Sequence, residues 1–156
     1  MKILVATDGS EYSKAAIDLL ANIVAKPGDT SVKIISAVER PAPVFAEPIV
    51  GAAEYYNHVE QSLRERAKRN VEQAETEIRS LFPGGLLDLT AEAINGSPQR
   101  VIVEMAQEWG ADMIVVGSHG YGFWSRVMLG SVSNSVVHNA PCSVLVVRKA
   151  NDSSDI

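Results

Sequence analysis

A short, continuous apolar run over residues 113–116 (MIVV) leads directly into residues 117–120 (GSHG), and this junction constrains the fold more than any other stretch of the chain. An uninterrupted apolar run of this length is typical of a strand buried on both faces. The glycines that follow predict a tight turn, because glycine permits positive φ and allows a ligand to approach the backbone closely. The junction therefore predicts a buried strand whose carboxyl end opens onto a binding turn.

A second glycine element, Gly130 and Ser131, follows the first turn after nine intervening residues. It opens an apolar segment, residues 132–137, that predicts a helix with Ser131 near its amino-terminal cap. The first N–H groups of a helix lack intrahelical partners and lie at the positive end of its dipole, so they attract phosphate. A Gly-x-x-Gly turn alone is common, but the two elements together predict a phosphate-binding site on one side of a sheet.

Strand-like and helix-like segments alternate along the chain. The predicted strands cover residues 2–7, 31–38, 87–94, 113–116 and 143–147, and the predicted helices cover residues 11–25, 53–81, a segment that starts at Pro98 and a segment that starts near Ser131. Ser10 is the expected cap of the first helix, and the charged residues around Arg66 are expected to form a solvated face of the longest helix. Because the connections are too long for hairpins, the alternation predicts an α/β fold with a parallel sheet and helices on both faces.

Composition limits the class of protein. The 156 residues suit one domain, which we expect to span residues 1–149 and to be followed by a polar tail over residues 150–156. The formal net charge of −5 provides no electrostatic footprint for nucleic acid or for an anionic membrane, so neither is an expected partner. The single cysteine excludes an intramolecular disulfide framework, and no apolar stretch approaches the ~20 residues of a membrane span. We therefore expect a cytoplasmic protein.

The spacing Gly117-x-x-Gly120-x9-Gly130-Ser131 resembles the nucleotide-binding signature of the universal stress protein family. The opening residues 3–10 (ILVATDGS) and the closing residues 140–147 (APCSVLVV) are also similar to that family's first and last strands, and the resemblance extends to about Lys149. It implies a Rossmann-like, three-layer α/β/α fold with a five-stranded parallel sheet in the order 3-2-1-4-5. In that order the winding reverses between strands one and four, which is where open α/β sheets bind their ligands.

The resemblance also implies an ATP-binding pocket at this reversal. It assigns Asp8 to the pocket and the backbone of Ala37 to adenine, although by its position alone Asp8 is equally suited to capping the next helix. Arg126 is the one cation near enough in sequence to reach a triphosphate, and a solvated role suits it equally well. Ser131 and Ser133 are expected to add hydroxyl donors. The expected pocket residues are Thr7, Asp8, Ala37, Gly117, Ser118, His119, Gly120, Arg126, Gly130, Ser131, Val132 and Ser133.

The pattern favours binding over catalysis, and we expect no catalytic residue in it. The nucleophile elbow Gly-x-Ser-x-Gly is absent, and the side chains of the adjacent Ser118 and His119 are expected to diverge. The sequence contains no Walker lysine motif and no clear general base. We therefore expect ATP binding with little or no hydrolysis, with Mg²⁺ accompanying the phosphates and no metal site built from side chains alone.

Two alternatives stay open, namely a slow ATPase or nucleotidyl-transfer enzyme on the same fold, and a dimeric interaction module without ligand. The complete glycine pattern argues against the second alternative. A loop over residues 40–51 could cover the pocket. Residues 143–147 form an apolar edge strand in the implied order, and such an edge tends to recruit another strand. Since the resemblance also implies pairing through this strand, we expect a homodimer.

Overall fold

Five parallel strands form the centre of the computed structural model, which describes residues 1–40, 52–120 and 129–149. The strands are β1 (Lys2–Ala6), β2 (Ser31–Val38), β3 (Asp88–Asn95), β4 (Met113–Gly117) and β5 (Ser143–Val147). Every neighbouring pair is parallel, and the order across the sheet is β3-β2-β1-β4-β5. The α/β fold and the strand order 3-2-1-4-5 are therefore confirmed.

Helices connect the strands. The helices are α1 (Glu11–Asp18), α2 (Leu20–Ile23), α3 (Ala52–Leu81), α4 (Pro98–Trp109) and α5 (Ser131–Asn139), with a short 3-10 helix at Pro27–Asp29. Ser10 caps α1 as predicted, because its Oγ accepts from the N–H of Ser13 at 3.3 Å. The single helix predicted over residues 11–25 is wrong. The N–H of Asn22 donates to the carbonyl of Leu19, a turn tighter than an α-helix that divides the segment in two, and helical geometry ends at Val24.

The core lies in two layers, one on each face of the sheet. Side chains alternate along β1, so Ile3 and Val5 pack with α1, α2 and α3 while Leu4 packs with α4 and α5. All three side chains are 0% exposed. A central strand is therefore apolar on both faces, which explains why such strands stand in the sequence as uninterrupted apolar runs.

The winding of the chain reverses between β1 and β4. These two strands pair directly, with Ile3 opposite Met113 and Ala6 opposite Val116. From β1 the sheet continues through β2 and β3 on one side, and from β4 it continues to β5 on the other. The connections after β1 and β4 therefore leave the sheet in opposite directions, and a binding site is expected at the carboxyl ends of these strands.

Among the helices in the described residues, none is both long and apolar enough to cross a bilayer.

Candidate functional site

A cavity of about 430 Å³ opens at the carboxyl ends of β1, β2 and β4, where the winding reverses. Most residues predicted from the sequence line it, namely Thr7, Asp8, Ala37, Gly117, His119, Gly120, Gly130, Ser131, Val132 and Ser133. Ser118 lies beneath this lining and is 1% exposed. Arg126 and residues 41–51 of the predicted covering loop lie outside the described residues. The structure therefore brings ten of the twelve predicted residues together around one cavity.

One side of the cavity is the end of β2, which continues past the end of β1. The N–H of Thr7 donates to the carbonyl of Ile35 at 2.9 Å, so Ile35 bonds toward β1. The N–H of Gly96, which directly follows β3, donates to the carbonyl of Val38 at 3.0 Å, so Val38 bonds toward β3. Successive residues of a central parallel strand bond alternately to the strand on one side and to the strand on the other. Ala37 is two residues after Ile35, so its N–H and C=O point to the side of β1, past the end of that strand and toward the cavity. No described residue forms a hydrogen bond with these two groups. This strand end offers a donor and an acceptor side by side.

The other side of the cavity is the amino terminus of α5. Gly130, rather than Ser131, occupies the cap position, and Ser131 is the first residue of the helix. No side chain caps this terminus, and no described residue accepts from the N–H groups of Ser131 and Val132. These donors lie at the positive end of the helix dipole. The arrangement is therefore suited to binding a phosphate or another anion.

The turn after β4 is attached to α5 through the carbonyl group of Ser118. The carbonyl oxygen of Ser118 accepts from the N–H of Gly130 at 2.8 Å and from the hydroxyl of Ser133 at 2.9 Å. Ser118 also donates its own N–H to the carbonyl of Val147 at 2.8 Å. The expectation that the Ser133 hydroxyl donates to a ligand is thereby corrected, because its proton is used within the protein and the residue is 2% exposed.

The expectation of positive φ at the glycines of this site is wrong, and close packing accounts for Gly117 and Gly120 instead. None of Gly117, Gly120 and Gly130 has a positive φ. A Cβ on Gly117 would lie 2.7 Å from the carbonyl carbon of Tyr12, so this glycine lets α1 approach β4 closely. A Cβ on Gly120 would lie 2.7 Å from Oδ2 of Asp8. Gly120 therefore leaves room for the Asp8 carboxylate.

Asp8 uses its two carboxylate oxygens differently. Oδ1 accepts from the N–H of Ser10 at 2.9 Å and stabilises the turn after β1. The cap of α1 is Ser10 itself, so the alternative in which Asp8 caps this helix is wrong. Oδ2 is the oxygen nearest to Gly120, and no described residue hydrogen-bonds to it. One carboxylate oxygen of Asp8 is thus directed to the glycine turn of the cavity.

The side chains of Ser118 and His119 meet, contrary to the expectation that they diverge. Oγ of Ser118 lies 3.0 Å from Nδ1 of His119, and the imidazole packs against the ring of Tyr12 with 5.2 Å between centroids. Because Ser118 is 1% exposed, its hydroxyl cannot reach a substrate in the cavity. The contact therefore fixes the orientation of the imidazole and does not create an accessible nucleophile.

A further side of the cavity comes from α3, which the sequence analysis did not assign to the site. The cavity residues on this helix are Leu63, Arg66, Ala67 and Asn70. The buried residues of α3 begin only at Ala67, so the first half of the helix extends beyond the core. Arg66 is exposed, as expected of a solvated face, and it also lines the cavity. The spacing of these four residues, at i, i+3, i+4 and i+7, is the sequence signal that could have identified them as one helix face.

A second cavity, of about 510 Å³, lies between α3 and the edge strand β3. Its cations are already paired with carboxylates, because Arg64 lies 2.7 Å from Glu60 and Lys68 lies 3.8 Å from Glu72. The first cavity, with its unpaired main-chain donors, is therefore the stronger candidate for an anionic ligand.

The thiol of Cys142 is not part of a reactive site. Burial raises its pKa, and the nearby carboxylate of Asp112 raises it further. The thiol therefore stays protonated at neutral pH and is a poor nucleophile or metal ligand. Within residues 1–40, 52–120 and 129–149, no group of three or more His, Cys, Asp or Glu side chains could hold a metal ion.

The parallel sheet and the cavity at its reversal point define a Rossmann-like α/β protein. The sequence model of the universal stress protein family matches residues 1–148. Universal stress protein MJ0531 of Methanocaldococcus jannaschii is 34% identical over 148 residues, which cover 95% of this chain and 82% of that protein. The chain therefore belongs to the universal stress protein family.

Solved structures agree with this assignment. The structure of protein MJ0577 matches with a TM-score of 0.78 and 27% identity, and the match covers 97% of both chains. A universal stress protein in complex with cAMP matches with a TM-score of 0.66 and 25% identity over 96% of this chain and 98% of that chain. The fold is thus shared along nearly the whole length of these proteins.

Replacing Gly117 with valine should destabilise the protein, because the added Cβ would meet main-chain atoms of Tyr12 and Ser13 at the start of α1. We expect the free energy of unfolding to fall by about 1–3 kcal/mol, the usual cost of overpacking. Gly84→Val is the matched control, since nothing lies within 4 Å of the Cβ position there. Urea denaturation compares the two variants, and equal losses of stability would contradict the packing role of Gly117.

Proposed function

We propose that this protein is an ATP-binding regulatory domain of the stress response, with little or no ATP hydrolysis. The observation that carries the proposal is that one cavity contains both the unpaired main-chain groups of Ala37 and the open helix terminus at Ser131. A neighbouring donor and acceptor suit the edge of an adenine ring, and a helix terminus suits phosphate. ATP carries these two groups at its opposite ends.

The lining near Ala37 also suits the faces of a base. Ile35, Ile102 and Val116 line the cavity and pack in the same core layer as Ala37. The cavity volume of about 430 Å³ falls within the range of ~300–1,000 Å³ that is usual for small-molecule sites. A largely apolar lining with a few well-placed polar groups is typical of such sites.

The comparisons support an adenine nucleotide as the ligand. The solved universal stress protein in complex with cAMP is 25% identical to this chain and covers nearly all of it. Our choice of a triphosphate rests on the lining of the cavity, which includes both the turn after β4 and the start of α5. A chain of several phosphates could contact both elements.

Mg²⁺ would accompany the triphosphate. Protein-bound Mg²⁺ usually keeps several water ligands and binds substrate phosphates. Among the described residues no group of three or more His, Cys, Asp or Glu side chains could hold a metal ion, so the phosphates and water would supply most of its ligands. The ion would enter with its nucleotide and neutralise charge on the phosphates.

Slow or absent hydrolysis follows from the surroundings of His119. Its Nδ1 lies 3.0 Å from the hydroxyl of Ser118, so this nitrogen is already engaged, and its Nε2 is buried away from solvent. The buried Ser118 is no accessible nucleophile. Purified protein with Mg²⁺ and ATP should therefore turn over far more slowly than the median enzyme rate of about 10 per second. Rapid steady-state turnover that disappears in His119→Ala would instead favour the enzyme alternative.

Asp8→Ala should weaken ATP binding at least tenfold, or by about 1.4 kcal/mol, because the variant removes a carboxylate that faces the cavity. The stability loss should be smaller, since only the hydrogen bond from the N–H of Ser10 is lost from the turn. Asp18→Ala, at an exposed carboxylate on α1, is the matched control and should bind ATP normally. Calorimetry measures the affinities, and unchanged affinity in folded Asp8→Ala would contradict the assignment.

We also propose a homodimer through β5. The N–H of Ser118 donates to the carbonyl of Val147, so Val147 bonds toward β4. By the alternation of a parallel strand, Val144 and Val146 direct their main-chain groups away from the sheet. Their side chains are only partly buried, and β5 pairs with no second described strand. An apolar edge of this kind recruits a strand, and a two-fold axis would satisfy both copies at once.

Val146→Pro should convert the dimer to monomers, because it removes an outward N–H without removing a bond to β4. Leu145→Pro is the contrasting control, since Leu145 bonds toward β4 and its replacement should unfold the chain. Sedimentation with circular dichroism separates these outcomes. Sedimentation of the unmodified protein as a monomer at micromolar concentration would rule out the dimer.

We treat residues 1–149 as one nucleotide-binding domain, because both core layers pack on the same sheet. We assign the protein to the cytoplasm, since its single cysteine cannot form the intramolecular disulfides that are common in oxidising compartments.

A further inference from the structure

We propose that Asn70 of α3 recognises the sugar of the bound nucleotide together with Asp8, so that the site selects a ribonucleotide over its deoxy forms. Both residues line the cavity. This inference rests on the proposed function, because it names the sugar specificity of the same site. It assigns a binding role to a helix that the sequence pattern did not connect with the glycine signature.

The order of the strands indicates where the sugar lies. The group suited to a base, Ala37, is at the end of β2, and the groups suited to phosphate are at the end of β4 and the start of α5. Between β2 and β4 lies β1, and neighbouring strands are about 4.8 Å apart. A nucleotide that contacts both ends must therefore carry its sugar across the end of β1, beside Asp8 and Gly9.

Asn70 lies directly against this turn. A Cβ on Gly9 would be only 2.4 Å from Oδ1 and 2.9 Å from Cγ of Asn70, so the carboxamide rests on the Cα of Gly9. The side chain of Asn70 is half-buried, and no described residue forms a hydrogen bond with it. Because no described residue uses them, the donor and acceptor of the carboxamide are available to a ligand in the cavity.

The chemistry of the pair matches two neighbouring hydroxyl groups. A carboxylate such as Asp8 only accepts hydrogen bonds, whereas the carboxamide of Asn70 both donates and accepts. Each ribose hydroxyl can likewise donate and accept. A site built to bond a hydroxyl rejects the analogue that lacks it, because its buried polar groups are then left without partners.

The test compares the affinity of the protein for ATP, 2′-deoxy-ATP and 3′-deoxy-ATP by calorimetry. We expect the unmodified protein to bind at least one deoxy nucleotide about fivefold more weakly than ATP, the effect of one lost hydrogen bond. Asn70→Leu keeps the shape of the side chain but removes its polar atoms, so it should bind ATP about fivefold more weakly and lose that discrimination. Gln73→Leu, on an exposed part of the same helix, should retain the original ratios.

Several outcomes would overturn the inference. If the unmodified protein binds all three nucleotides equally, or if Asn70→Leu keeps the original ratios, Asn70 does not read the sugar although ATP binding stands. If the unmodified protein binds none of the three, the proposed function fails and this inference fails with it. Should Asn70→Leu not fold, Asn70→Ser takes its place, and its affinities for the three nucleotides are compared with those of the unmodified protein.

Discussion

The carbonyl group of Ser118 is the point on which the geometry of the candidate site depends. It accepts hydrogen bonds from the N–H of Gly130 and the hydroxyl of Ser133, while the N–H of the same residue bonds the carbonyl of Val147. One residue thus holds the end of β4, the start of α5 and the end of β5 together. These bonds fix the distance between the glycine turn and the open terminus of α5, the two elements that would contact phosphate.

The ends of neighbouring strands provide the other half of the site. Because β2 continues past β1, the main-chain groups of Ala37 face the cavity without a strand partner. Asp8 follows the shorter strand and directs one oxygen toward Gly120. The unequal lengths of two parallel strands therefore place backbone donor and acceptor groups at the cavity, and their position depends little on which side chains occupy β2.

Much of the fold could be predicted where the hydrophobic pattern was decisive. The bounds of β2 and β5 are those predicted, residues 31–38 and 143–147. The strand order came from the resemblance to a known family, and the location of the cavity followed from that order. The first helix was predicted too long, because the break at Leu19 depends on which carbonyl accepts from Asn22 and leaves no compositional signal.

The reasons for the glycines and the role of α3 could not be predicted from local pattern. Gly117 is required by its contact with Tyr12, a residue distant in sequence that only the folded chain brings near. Arg66 and Asn70 stand among charged residues on a long helix, which is also the pattern of a solvated face. Their position at the cavity depends on how far α3 extends past the sheet, and that is a property of tertiary packing.

The most direct test of the account is a nuclear magnetic resonance titration of the isotopically labelled protein with ATP and Mg²⁺. If the base lies at the end of β2 and the phosphates at the start of α5, the largest amide shifts will be at Ala37, Ser131 and Val132. Shifts confined to the second cavity, around Arg64 and Lys68, would contradict the account. So would saturable binding that leaves the amides of Ala37 and Ser131 unchanged.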